Sequence, residues 1–116
     1  MTIEKSEKDH FVLIKYARQG FKDIEQLRTM LSGIQSDTGS EKDIVIDFGA
    51  SKYLTSPEIG CIVRLAHGLV GSSRILRVIP SEGLYKQLSS LNLAKLDHLT
   101  IYENREDFAD HLKKMK

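Results

Sequence analysis

Between two apolar runs, the segment Leu54-Thr55-Ser56-Pro57-Glu58-Ile59-Gly60 sets two hydroxyls, a proline and a carboxylate in consecutive positions. Such a group can do two things. It can start a helix: the Ser56 hydroxyl would accept an amide of the first turn, Pro57 suits the first helical position, and Glu58 favours the positive end of the dipole. On that reading Ser56→Ala costs about 1 kcal/mol. It can also take phosphate, which would bring about −1.5 to −2 charges to a helix N-terminus. Pro57 offers such a phosphate no amide, and Glu58 repels it. Ser56 and Thr55 are the phosphorylation candidates.

Other chemistry-bearing residues do not assemble into a motif. His10, His67, His98 and His111 fall far apart, on different expected elements. Cys61 is the single cysteine and has no metal-ligand spacing around it. There is no Gly-x-x-x-x-Gly-Lys-Ser/Thr phosphate loop, no Gly-x-Ser-x-Gly elbow, and no Cys-x-x-Cys or His-Glu-x-x-His pair. Asp47, just ahead of Gly49, reads as a chain-turning residue. The chain is therefore expected to be non-enzymatic, with no catalytic residue, no metal and no cofactor.

The elements that must position Thr55 to Glu58 follow from length and patterning. With 116 residues the chain suits one domain, 1–116, with one buried core. Seventeen basic against sixteen acidic residues give a formal charge of +1. The basic residues are scattered, which argues against nucleic acid as a partner. No run approaches eighteen apolar residues, and Met1 to His10 does not read as a secretion leader, so a cytoplasmic protein without a membrane span is expected.

Thr2–Glu7 and His10–Ala17 have extended character around Lys8-Asp9 and predict a hairpin. Phe21, Ile24, Leu27, Leu31 and Ile34 recur at helical spacing and predict an amphipathic helix ending near Gln35. After a polar loop, Ser36–Lys42, the run Ile44-Val45-Ile46 suits a central strand buried on both faces. Helices are expected over Pro57–Val70, Glu82–Leu91 and Arg105–Lys113, and strands over Arg74–Ile79 and Leu99–Tyr102. Leu84, Leu88 and Leu91 form one core stripe, and Phe108 with Leu112 another. Strands alternating with helices after a hairpin imply a mixed sheet, because parallel neighbours need a crossover of about a dozen residues.

At about 100° per residue, Ile59, Ile62, Val63, Ala66, Leu69 and Val70 share one side of the second helix, assigned to the core. Cys61, Arg64, Leu65 and Gly68 share the other. The partner-binding surface is accordingly expected at Thr55, Ser56, Glu58, Cys61, Arg64 and Leu65, and Leu65→Asp is expected to leave the fold intact while weakening a complex.

The order of elements, and the text DIVIDFGASKYLTSPEIGCIVRLAHGL followed by SSRILRVIPSEGLYKQLSSLNLAKLDHLTIYENREDFADHL, resembles the STAS domain of bacterial anti-sigma factor antagonists. In that family a strand ending in Asp leads to an Asp-Ser-Ser/Thr-Gly-Leu/Ile-Gly motif that opens a helix. The resemblance implies an α/β, STAS-like single domain, with a mixed four- or five-stranded sheet and about four helices packed mainly on one face. It also implies a signalling role: binding an anti-sigma factor that is a serine kinase, under the control of phosphorylation at the helix start. Aligning Ile59-Gly60 with the family's apolar-Gly pair puts Thr55 at the usual Asp, Ser56 at the first hydroxyl and Pro57 at the usual phosphoacceptor, so phosphorylation control is in doubt. The resemblance admits two other roles: a scaffold or accessory subunit of a stressosome-like or transporter-associated complex, or a nucleotide or lipid sensor.

Overall fold

A computed structural model describes residues 3–8, 10–17, 21–36 and 42–114. Thr2, Asp9, Gly20, the side chain of Phe21 and loop residues 37–41 lie outside the described set. The polar strand β1 (Ile3–Glu7) and the largely apolar strand β2 (Phe11–Tyr16) pair antiparallel as the expected hairpin. Helix α1 (Phe21–Ser36) crosses to β3 (Asp43–Asp47), α2 (Ser56–Gly68) to β4 (Leu76–Ile79), and α3 (Glu82–Ser90) with a 3₁₀ turn (Leu93–Lys95) to β5 (Leu99–Ile101). Helix α4 (Arg105–Lys114) follows. The sheet order is β1-β2-β3-β4-β5, with β2 to β5 all parallel, so Asp43–Asp47 is the central strand.

Because side chains alternate across a strand, each strand feeds two layers. Val12, Ile14, Ile44, Ile46, Leu76, Val78 and Leu99 meet residues of α1, α2 and α3 in the larger core. Phe11, Val45, Ile79 and Tyr102 face the other way and pack with Phe108 of α4, which meets Phe11 and Tyr102 edge-on at 5.8 and 5.3 Å between ring centres. Three helices on one face and one on the other match the expectation of helices mainly on one side.

The phase expected for α2 is wrong. Cys61 and Leu65 are buried at 6 % and 2 % exposure, and Glu58 is fully buried, while Ile59 and Val63 are only half-buried. The buried arc is turned by roughly 70° because α2 is covered on two sides, by the sheet beneath it and by α1 beside it. Arg28, Leu31 and Ser32 of α1 line a small cavity with Cys61, Arg64 and Leu65. Apolar residues on both flanks of α2 gave no sign of which flank the neighbouring helix would take.

Two further core assignments fail where helices stop early. Val70 lies beyond α2 and is exposed, and Leu91 lies at the end of α3 and is 49 % exposed. Asn92 then takes a left-handed conformation, at φ 57°, which turns the chain and lets Leu93 enter the core in place of Leu91. Strand β4 begins at Leu76, not Arg74, because the Arg74 side chain is committed to the carbonyls of Ile34 and Lys42 and the Ile75 amide to Asp43 Oδ1.

Burial of Leu65 reverses the outcome expected for its substitution. Leu65→Ala should cost about 2–5 kcal/mol in urea unfolding, and Leu65→Asp more, because it places a carboxylate in the same apolar site.

Candidate functional site

The carboxyl ends of the parallel strands carry the loop 48–55, which connects β3 to α2, and it is at such ends that open α/β sheets place their sites. Asp47 closes β3. Its Oδ1 accepts the Gly49 amide at 2.8 Å, and its Oδ2 accepts from Arg105 at 2.7 Å. Asp47 thus turns the chain, as expected of it, and also ties the start of α4 to the loop. A Cβ on Gly49 would stand 2.8 Å from Arg105 Nη2 and 3.0 Å from Asp47 Oδ1, so a side chain there would push the Arg105 guanidinium from its place on Asp47.

Helix α3 holds the loop from its other side. The Gln87 amide brackets Leu54, accepting its N–H and donating to its carbonyl, both at 2.9 Å. The Ser81 hydroxyl donates to the Ser51 carbonyl at 2.5 Å while capping α3 by accepting the Leu84 amide. Backbone groups of Ser51 and Leu54 that join no sheet or helix thereby find partners, and the loop is tied to α3 at two points.

The start of α2 differs from the expected one by a residue. Thr55, in extended conformation, is the N-cap; Ser56 and Pro57 occupy the first two helical positions and Glu58 the third. Thr55 and Glu58 form a capping box, in which Glu58 Oε1 accepts both the Thr55 amide and the Thr55 hydroxyl at 2.8 Å. The other oxygen, Oε2, accepts the Tyr16 hydroxyl at 2.6 Å from the end of β2. Glu58 is therefore an internal brace rather than a surface charge.

Of the six residues expected at a partner surface, Ser56 and Arg64 are exposed and Thr55 is half-buried, whereas Glu58, Cys61 and Leu65 are interior. Exposed Tyr53 lies just ahead of them, and sequence reasoning did not single it out. Lys15, Asp47, Ala50 and Arg105, with Glu4, line an open cleft of mixed charge beside the loop.

The histidines stay apart. His10 and His67 are exposed, and His98 Nδ1 meets the Arg74 carbonyl at 2.9 Å. His111 packs on Tyr102 and lies 3.5 Å from Arg77. Arg77 was missed as well. Buried on the α4 face, it pairs with Asp43 at 3.0 Å and donates to the Tyr102 hydroxyl at 2.8 Å. Its signal was the charge interrupting the apolar strand text RILRVI. Among the described residues, no group of three His, Cys, Asp or Glu could hold a metal ion, and no helix is long and apolar enough to cross a membrane.

No protein-family model matches the chain, and no curated protein matches it in sequence. Solved structures do. A crystal structure from Thermotoga maritima, of a protein described as a candidate anti-sigma factor antagonist, is 15% identical with a TM-score of 0.71, covering 96% of this chain and 94% of that one. The NMR structure of the protein TM1081 is also 15% identical, with a TM-score of 0.72 over 95% and 87%. At that identity the likeness shows the fold, which is the STAS-like α/β arrangement.

The box makes two measurable demands. Thr55→Ala should cost about 1 kcal/mol, and Ser56→Ala should stay within about 0.5 kcal/mol of the parent, the reverse of the order expected with Ser56 as the cap. Glu58→Ala should be worse than either, because it leaves the Tyr16 hydroxyl and the Thr55 amide short of an acceptor, and Tyr16→Phe should cost about 1.5–3 kcal/mol. Combined in a double-mutant cycle followed by urea unfolding, Glu58 and Tyr16 should show coupling of about 1 kcal/mol.

Proposed function

We propose that the chain is a cytoplasmic, non-enzymatic protein-interaction module of bacterial signalling. It would act as an anti-sigma factor antagonist or a near relative, and bind an anti-sigma factor kinase or a related signalling protein through the start of α2. The observation that carries this reading is the fold shared over 96% of the chain with a protein described as a candidate anti-sigma factor antagonist. A loop held by Asp47, Ser81, Gln87 and Glu58 presents Tyr53 just ahead of Ser56, with Arg64 exposed about two turns further along α2, and an ordered surface loses less entropy on binding.

Phosphorylation control is weakened by two features. The resemblance puts Pro57, which has no hydroxyl, at the usual acceptor position. Thr55 does have one, but it is already given to Glu58, and a phosphate there would confront that carboxylate. Ser56 is the exposed hydroxyl that remains. Binding would then be set by abundance or by the partner's state, unless a kinase reaches Ser56.

Titration against anti-sigma kinase domains from the same genome tests the reading. One of them should form a complex that Arg64→Glu weakens about tenfold without a change in unfolding midpoint. Absence of binding to all of them overturns the proposal. Phosphopeptide mass spectrometry across Ser51–Arg64, on protein from its own cells, should find Thr55 unmodified.

A further inference from the structure

Strand β1 lies at the edge of the sheet, paired on one side to β2 and, among the described residues, with no strand on its other side. The hydrogen-bond phase of the hairpin determines which groups face outward. The Lys8 amide donates to the Phe11 carbonyl at 2.8 Å, and the register pairs Ser6 with Leu13 and Glu4 with Lys15. Hydrogen-bonded and non-bonded pairs alternate along an antiparallel ladder, so Glu4, Ser6 and Lys8 turn their backbone groups to β2. Lys5 and Glu7 turn theirs to the open edge.

That edge reads Glu4-Lys5-Ser6-Glu7-Lys8, charged at four of its five positions, and all five residues are exposed. Charge on an edge strand ordinarily deters pairing. Here the deterrence depends on register. Two copies related by a two-fold axis perpendicular to the sheet must have that axis pass through a residue, since facing residues point to the same side. An axis at Lys5 sets lysine against lysine, and one at Glu4 sets glutamate against glutamate. An axis at Ser6 sets Lys5 against Glu7 twice and Glu4 against Lys8 twice, with Ser6 facing Ser6. In that register Lys5 and Glu7 are also the residues whose free backbone groups meet. Each of these four charges is then opposed by its opposite, Glu7 keeping Lys42 at 3.8 Å within its own chain as well, and a ten-stranded continuous sheet results.

A second observation points the same way. Beside Lys5, an open groove runs along α1, lined by Gln26, Thr29, half-buried Met30 and Gly33. A Cβ built on Gly33 would meet nothing within 4 Å, so the helix surface there is open to close approach. Continuing the sheet through β1 would bring the α1 helices of both copies to the two sides of the joint, where these grooves face one another.

We infer that β1 is a self-recognition edge: a second copy of this chain pairs antiparallel with it, in the register centred on Ser6, to form a two-fold dimer. Registers centred on Glu4, Lys5 or Glu7 each place one like-charge pair on the axis, so the same charges that protect the edge from indiscriminate pairing favour the register centred on Ser6.

Sedimentation of the full chain across a concentration series should show a monomer–dimer equilibrium that weakens as salt is raised. Lys5→Glu and Glu7→Lys, each creating two like-charge oppositions, should each weaken the dimer by about tenfold with little effect on unfolding. The double variant Lys5→Glu/Glu7→Lys restores opposite charges at both places and should return the dissociation constant to near the parent value. Amide exchange should show Lys5 and Glu7 slowed in the dimer, at positions open in the monomer. A chain that stays monomeric at millimolar concentration overturns the inference. So does a dimer indifferent to both reversals, or one that the double variant fails to restore.

Discussion

The buried carboxylate of Glu58 is the joint on which the functional end of the molecule depends. One oxygen takes the amide and hydroxyl of Thr55 and the other takes the Tyr16 hydroxyl, so a single side chain connects the end of β2, the loop after β3 and the first turn of α2. A carboxylate removed from water is tolerable only when its lone pairs find donors, and Thr55 and Tyr16 supply donors here. The arrangement exchanges adaptability for definition: the helix start cannot rotate or slide without leaving the carboxylate or one of its donors unmatched. Tyr16 is placed for this by strand alternation, which points Val12, Ile14 and Tyr16 to the face that α2 covers, and its ring packs edge-on against Phe48 at 5.7 Å.

The opposite face of the sheet follows the same logic with different groups. Asp43 and Asp47 stand at the two ends of β3 and both point toward the α4 side. Asp43 engages Arg77 and the Ile75 amide; Asp47 engages Arg105 and the Gly49 amide. Between them Val45 and Ile79 meet Phe108. A short helix with few apolar residues could not be oriented by packing alone. At its first residue Arg105 pairs with Asp47 beside the loop, and near its end His111 packs edge-on against Tyr102 and lies 3.5 Å from Arg77, so both ends of the helix have contacts beyond Phe108.

Much of this architecture was legible because backbone periodicity is a local property. The hairpin, the α1 stripe through Leu27 and Leu31, and the central Ile44-Val45-Ile46 run all carry their fold in their own spacing. The phase of α2 did not, since Leu65 and Val63 are equally apolar and only the arrival of α1 distinguishes them. Glu58 was misread for a related reason. A glutamate in a first turn is ordinarily solvated, and nothing near it announces a tyrosine forty-two positions earlier that will cover it. Helix ends were the other source of error: Val70 and Leu91 fit the stripes they extend, but the helices end before reaching them.

Placing Thr55 rather than Ser56 at the cap changes what the hydroxyls at this helix start are free to do. A capping hydroxyl is spoken for, whereas a residue at the first helical position projects outward past the turn. Pro57, at the second helical position, has no amide to donate at an end where amides would otherwise be open to an anion. The remaining polarity of this helix start is thus turned largely inward, to Glu58. What faces solvent here includes the Ser56 hydroxyl, Pro57, and Lys52 and the Tyr53 ring from the preceding loop, with the Arg64 guanidinium about two turns further along α2. A surface of that kind recognises by shape and a few polar contacts, and the fixed loop conformation, more than any charge added to it, defines the shape it offers.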